Sequence, residues 1–349
     1  MSEITRVGVD LAKNVIQVHA VDAAGRVVAA RALPRSKFIE WCVHLPAGCS
    51  VTMEACGGAH HWARRLTALG LQVKLIAPQF VTPYRLQGKS GKNDANDAAA
   101  VCEAASRPTM HFVPIKTAAQ QGKLAIHRMR EGYKSEYTAW VNRIRGILAE
   151  FGLVAALSPD KLKRSLPELL EDAGNELPGE VRVMVQDAMA HCASLQENIK
   201  SCEQKIAQHA KEDERVQRAA QLWGIGPITA SAVVASVCDF RQFKNAAQFA
   251  AWLGLTPSQN SSGGKAKLGK ITKRGDTYLR MLLVQGAKAA LLTGTRRSDR
   301  IADWARALAC RSGWQRACVA LASKNARILW AMFTRGVAFD PAHVSVKPT

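Results

Sequence analysis

The chain contains no run of apolar residues long enough to span a membrane. It has no CxxC pair. Its nine cysteines (Cys42, Cys49, Cys56, Cys102, Cys192, Cys202, Cys238, Cys310 and Cys318) are scattered and odd in number. A disulfide framework or zinc site is therefore not expected, and reduced thiols in a cytoplasm are the simpler account. No leader-like segment opens the chain; S-E-I-T-R runs directly into a strand pattern, so a secretory signal is not expected. Acids are scarce. There are 28 Asp and Glu against 48 Lys and Arg in 349 residues, a formal charge of +20. Such an excess suits a polyanionic partner, bound through salt-dependent neutralisation of phosphates. The length allows two or three domains with their own cores.

Against that basic background, four carboxylates stand out in the first hundred residues. Asp10 lies in V-G-V-D-L-A-K and Glu54 in V-T-M-E-A-C, both at short apolar runs that read as strands. Asp94 and Asp97 lie in K-N-D-A-N-D-A, three apart at the start of an Ala-rich helical stretch, so both can point the same way. A core has no use for four acids near strand ends. A magnesium (or manganese) site for phosphodiester chemistry does, because two hard cations about 4 Å apart need carboxylate oxygens.

The local patterns order the N-terminal part. Residues 4–11, 15–21 and 26–33 read as three strands, with a turn over Asp22 to Gly25. A helix over 35–45, a strand over 49–55, a helix from His60 to Leu69 and a strand over 72–77 follow. Three strands, then helix–strand–helix–strand, is the order of the ribonuclease H-like fold, with Asp10 on the first strand and Glu54 on the fourth. The adjacent His60 and His61 read as ordinary polar residues opening a helix rather than metal ligands.

From about residue 117 the pattern turns helical. Tyr133, Tyr137, Trp140, Ile144, Ile147 and Phe151 form one heptad seam, and Val185, Ala188, Cys192, Leu195, Ile199, Cys202 and Ile206 a second. Pro159, Pro167, Gly174, Pro178 and Gly179 predict a loop-rich connection between them. An antiparallel hairpin follows, serving either as an internal pair or as a dimerisation arm. The expected division is 1–116, 117–215 and 216–349: an α/β domain, a helical coiled-coil middle, and a mostly helical C-terminal domain.

In that last part, L-W-G-I-G-P-I-T-A-S-A resembles a helix-hairpin-helix. Gly224 and Gly226 allow a tight turn, and amides at the following helix start can hold a phosphate. Beyond it, S-S-G-G-K-A-K-L-G-K-I-T-K-R-G-D-T-Y-L-R places Lys265, Lys267, Lys270, Lys273, Arg274 and Arg280 among glycines. The glycines predict a loop until about Asp276, with backbone close to a nucleic acid.

Taken together, G-V-D-L-A-K, M-E-A-C-G, K-N-D-A-N-D-A, G-I-G-P-I-T-A, G-L-T-P-S-Q-N-S-S-G-G and I-T-K-R-G-D-T-Y-L-R resemble the DEDD transposases of a bacterial insertion-sequence family related to Piv-type DNA invertases. The resemblance implies a RuvC-like N-terminal domain with Asp10, Glu54, Asp94 and Asp97 as magnesium ligands. It also implies a C-terminal transposase domain whose serine, standing before glycine and five residues after a proline, matches Ser262, with Ser261 its neighbour. Further implications are a covalent phosphoserine, donor and target DNA as substrates, a structured guide RNA (the bridge RNA) from the element, and a bacterial cytoplasmic setting. Self-association is expected as a dimer or tetramer. The rival is a RuvC-like junction-resolving metal nuclease with no covalent intermediate. A tyrosine recombinase using Tyr278 lacks the Arg and His arrangement such enzymes need.

Overall fold

The computed structural model describes residues 3–85, 93–155, 157–263, 265, 267–294 and 299–342. Lys92 of the K-N-D motif and Gly264 of S-S-G-G lie outside them. The chain divides into two compact units, Met1–Gln121 and Gly122–Thr349.

The first unit is built on five strands: β1 (Arg6–Leu11), β2 (Val15–Val21), β3 (Val27–Pro34), β4 (Ser50–Glu54) and β5 (Gln72–Ile76). Their order across the sheet is β3-β2-β1-β4-β5. The first three are antiparallel neighbours, whereas β4 and β5 run parallel to β1. Helices α1 (Phe38–Val43) and α2 (Ala59–Ala68) provide the crossovers. Alternation along the strands divides the faces. Val7, Val9, Val51 and Met53 are fully buried in one core with Phe38, Cys42, Trp62 and Leu66 of α1 and α2. The short α3 (Pro78–Val81) and α4 (Asp94–Ala105) follow, and Val101 and Ala104 of α4 pack with Ile76 and Val81 in a second cluster.

Gly8 explains how α4 reaches β1. A Cβ on Gly8 would lie 2.2 Å from the Ala98 carbonyl oxygen and 2.5 Å from the Cys102 nitrogen. Only a glycine admits that approach. The sheet and its element order match the sequence expectation within a residue or two at each end.

The second unit is helical apart from one ribbon. α5 (Ala118–Glu150), which begins in the last residues of the first unit, and α7 (Gly179–Glu212) form an antiparallel pair. The step from Arg130 to Tyr137 on α5 mirrors the step from Glu203 back to Gln196 on α7, and these residues are hydrogen-bonded in pairs. The expected loop between them holds a helix instead, α6 (Pro159–Glu171). Pro159 sits in its first turn, where a missing N–H costs nothing, and the interior Pro167 is tolerated because Leu162 and Leu166 bury their side chains against α5 and α7. The α5 stripe is also shifted from the expected one. Val141, Ile144 and Leu148 are buried, while Ile147 is exposed.

The rest comprises α8 (Glu214–Ala220), α9 (Pro227–Ser236), α10 (Ala246–Trp252), the strands β6 (Pro257–Gln259) and β7 (Leu268–Ile271), α11 (Thr277–Thr293), α12 (Arg300–Ser312) and α13 (Trp314–Arg335). β6 and β7 pair antiparallel. The glycine-rich stretch expected to be a loop is therefore partly a two-stranded ribbon. Its base is fixed by two close backbone contacts. A Cβ on Gly254 would lie 2.2 Å from the Arg274 oxygen, and one on Gly275 would lie 1.8 Å from the Trp252 oxygen; both glycines are left-handed. Asp276, where the sequence predicts the loop to end, caps α11 by accepting from the Leu279 N–H.

A buried polar chain joins four helices of this unit. Tyr278 Oη and His127 Nδ1 are 3.0 Å apart, and Ser231 Oγ lies 2.9 Å from His127 Nε2 and 2.8 Å from His209 Nδ1. A serine hydroxyl can donate to one imidazole and accept from the other, so each of these four side chains has a hydrogen-bond partner. Burial, reinforced by Arg130 and His209, pushes His127 down to about 4 and keeps it neutral.

Candidate active site

Three elements of the first unit bring the acids together. Asp10 is the fifth residue of β1 and Glu54 the last of β4, and the register pairs Val9 with Met53, so the two carboxylates follow side by side on parallel neighbours. Both alternate away from the apolar α1–α2 face. α4, held against β1 by Gly8, supplies the other two. Its N-cap is Asn93, whose side chain accepts from the Asn96 N–H at 2.8 Å. Asp94 and Asp97 occupy the first turn, where the helix dipole favours negative charge.

The four carboxylates share one electrostatic field. Asp10 is raised from 3.8 to about 6, chiefly because it is half-buried, and then because Asp94, Asp97 and Glu54 repel its charge. Arg85 pulls the other way. Its Nη2 donates to Glu54 Oε1 at 2.7 Å, and its Nε lies 2.9 Å from Asp97 Oδ1. The Nε–H is not aligned on that oxygen and has no hydrogen-bond acceptor, so this second contact is electrostatic only. One guanidinium thus bridges two of four clustered acids, although nothing near Arg85 in the sequence marks it for that role.

The donor set is all oxygen, with Arg85 as its compensating cation among the described residues, which suits a hard divalent ion. Among the described residues, no three acid, His or Cys side chains converge on a common point, and Arg85 contacts two of the four acids. His60 and His61 have partners of their own. The His60 Nδ1 accepts from the Lys116 N–H at 3.2 Å, and His61 sits edge-on to Trp62.

In the second unit, Ser262 lies at the end of the β6–β7 ribbon. Its carbonyl accepts from the Lys265 N–H at 3.1 Å across a turn in which Gly263 is left-handed. Three serines compete here, and their hydroxyls differ. Ser258 Oγ donates to the Lys270 carbonyl, and Ser261 Oγ accepts from the Lys267 N–H and the Gln259 side chain. The exposed Ser262 hydroxyl has no hydrogen bond among the described residues. Tyr278, by contrast, is tied to His127, and burial raises its phenol further, so it stays protonated.

The cations separate into two kinds. Lys265, Lys267, Lys270, Lys273 and Arg274 are exposed along the ribbon and carry no ion pair among the described residues. Arg280 is a brace: its guanidinium donates to the carbonyls of Leu253 and Arg274 and to Thr277 Oγ1. Gly224 is also a packing residue. It is left-handed, and a Cβ on Gly286 of α11 would lie 2.0 Å from the Gly224 oxygen. The buried Asn325 side chain donates to the Trp223 carbonyl, fixing the same turn. Gly226, exposed, precedes Pro227 at the start of α9.

Comparison with known proteins agrees with this arrangement of motifs. A DEDD transposase family model of the IS110 type matches residues 7–152, and the model for the transposase IS116/IS110/IS902 family matches residues 216–302. A probable family 20 transposase of Pseudomonas aeruginosa is 45% identical over 339 residues, covering 97% of this chain and 99% of its own. The transposase for insertion sequence element IS1111A of Coxiella burnetii is 41% identical, covering 96% of this chain and 91% of its own. The transposase for IS1328 of Yersinia enterocolitica is 38% identical, with 97% and 100% covered. The chain belongs to the IS116/IS110/IS902 family of insertion-sequence transposases.

Proposed function

We propose that this transposase is a DNA recombinase that exchanges strands through a covalent phosphoserine at Ser262, with Asp10, Glu54, Asp94 and Asp97 holding Mg2+ or Mn2+. The observation that carries the reading is the gathering of four carboxylates around one arginine at the ends of β1 and β4 and the start of α4. A bound divalent cation would polarise the scissile phosphate and lower the pKa of an attacking hydroxyl. Arg85 must release Glu54 and Asp97 for both to serve as ligands. Ser262 Oγ attacks phosphorus, its proton leaves to a base, and the P–O bond to one DNA strand breaks. The ester conserves the bond energy, so the free hydroxyl of another strand end can displace the serine without an external energy source. The ribbon lysines stabilise charge on the non-bridging oxygens. The acids belong to the first unit and Ser262 to the second.

The partners in this reading are donor and target DNA and a structured bridge RNA from the element, in keeping with the charge of +20. Among the described residues, no helix is long and apolar enough to cross a membrane. In this reading the protein acts in the bacterial cytoplasm, as the resemblance implies. The sheet order β3-β2-β1-β4-β5 supports a RuvC-like ribonuclease H domain over 1–116. The helical hairpin of 117–215 acts as the dimerisation arm, and 216–349 as the catalytic-serine domain. Gly224 and Gly226 shape the α8–α9 turn so that α9 presents its first amides to a phosphate.

The test is reconstitution. Purified protein, RNA recovered from it and DNA carrying the element ends are combined in Mg2+, and joined product is scored. Joining is expected with RNA present, and is lost on RNase treatment, in EDTA, and in Asp10→Asn and Ser262→Ala. Cutting that survives RNase treatment and Ser262→Ala supports the junction-nuclease rival instead.

A further inference from the structure

A groove of the second unit lies beside the ribbon, between β7 and helices α12 and α13, with a volume of about 920 Å3. Its floor is apolar, with Leu255, Ile271 and Val319. Its rim carries Lys270, Arg316, Lys324 and Arg327, and no acid lines it. None of these four cations has an ion pair among the described residues. α13 explains the arrangement. One face buries Ala317, Leu321, Ala322, Asn325 and Leu329 in the core, and the opposite face presents Arg316, Lys324 and Arg327. Arg316 and Arg327 are about 16 Å apart along the helix axis. That is the length of four to five stacked nucleotides at about 3.4 Å each.

One aromatic completes the groove. Trp304 of α12 lines it, and the Lys324 ammonium sits 4.3 Å from the centre of its ring. That ammonium is strained electrostatically. Burial and the nearby Arg300 hold it below the usual lysine range, so an incoming anion would relieve it. A line of cations over an apolar floor with one indole is the composition of a single-strand nucleic-acid channel, in which phosphates meet cations and a base stacks on an aromatic. A fully apolar floor would suit a protein helix, but four unpaired cations on the rim of one groove would then be buried without partners.

We propose that this groove holds a single DNA strand, its backbone along Arg316, Lys324 and Arg327 and a base on Trp304, and delivers it along β7 toward Ser262. The three α13 cations lie beyond both matched family segments, which end at residues 152 and 302. The choice of DNA over RNA rests on the proposed role of Ser262, since β7 of the serine's own ribbon forms one wall. Displacing Lys324 from Trp304 is part of binding: the ammonium turns to a phosphate and frees the ring.

The test uses the full-length protein and fluorescence anisotropy with labelled single-stranded DNA, and with RNA of the same sequence. The Arg316→Gln/Lys324→Gln/Arg327→Gln variant should bind single-stranded DNA 10- to 100-fold more weakly. Its log–log salt slope should fall by about 2, from about 0.7 per lost phosphate contact. Trp304→Leu should weaken binding several-fold without changing the slope. Iodouridine-substituted DNA should photocrosslink to the peptide containing Trp304, a readout that needs no variant. Anisotropy and crosslinking read binding and not strand exchange, so a failure of the phosphoserine reading leaves this result intact. Unchanged DNA affinity in the triple variant, a loss confined to RNA, or crosslinks that map away from α12 and α13 would overturn the proposal.

Discussion

Replacing Asp10 with asparagine should stabilise the metal-free protein while abolishing its response to magnesium. Asp10 is half-buried beside three other carboxylates, and its pKa rises from 3.8 to about 6. A rise of that size corresponds to about 3 kcal/mol if wholly expressed. Solvent reaches part of the group and screens it, so about 1 kcal/mol is the expected share. The sign follows from proton uptake. The folded state holds the Asp10 proton more tightly than the unfolded chain, so stability falls as pH rises from about 4 to about 6 and is level above. Asparagine cannot ionise and escapes that loss. In EDTA at pH 7, the first unit (Met1–Gln121) should therefore melt about 3–5 °C higher in Asp10→Asn than in wild type, and at pH 4 the two should coincide. Saturating Mg2+ should reverse the order by stabilising wild type alone. A variant less stable than wild type in EDTA at pH 7, or a gap that persists unchanged at pH 4, would refute the shared-field reasoning.

Gly8→Ala should cost about 1–3 kcal/mol by overpacking, because its new methyl meets the α4 backbone at 2.2 Å; the same variant should lose its magnesium-induced melting shift, and an unchanged shift would show that α4 need not sit so close. Arg85→Met should lower stability in EDTA, where four carboxylates lose their one cation, yet bind Mn2+ more tightly by electron paramagnetic resonance; weaker Mn2+ binding would make Arg85 a supporting group rather than a competitor. At the far end of the α5–α7 hairpin, Leu157 and Met184 are 91% and 69% exposed; Leu157→Glu/Met184→Glu should lower the mass measured by light scattering without lowering the melting temperature, and a wild-type monomer at micromolar concentration would remove the dimerisation arm.

The first unit was legible because its signals are local. Short apolar runs around V-G-V-D-L and V-T-M-E placed the strands, and the Ala-rich stretch opening with Asp94 and Asp97 placed α4. What stayed hidden was long-range. Arg85 belongs to the acid cluster through side-chain geometry, and nothing in its own neighbourhood of the sequence marks it. Tyr278 and His127 meet across 151 residues, so no periodicity reports them. The prolines around α6 read as breakers, yet one fits a first turn and the other is outweighed by the burial of Leu162 and Leu166. Among glycines and lysines the β6–β7 ribbon read as loop, since its pairing depends on turns made by Gly254 and Gly275 against backbone elsewhere. Arg280 read as a phosphate ligand because it sits in a basic run; its three acceptors show a brace.

The claim that most needs direct measurement is the phosphoserine. Protein, recovered RNA and a nicked DNA substrate are incubated in Mg2+, the reaction is stopped in denaturant, and the protein–DNA adduct is digested and mapped by peptide mass. The account predicts one adduct, on Ser262, absent in Ser262→Ala and in EDTA. Efficient cleavage with no adduct, or an adduct on Ser261 or Tyr278, would contradict it.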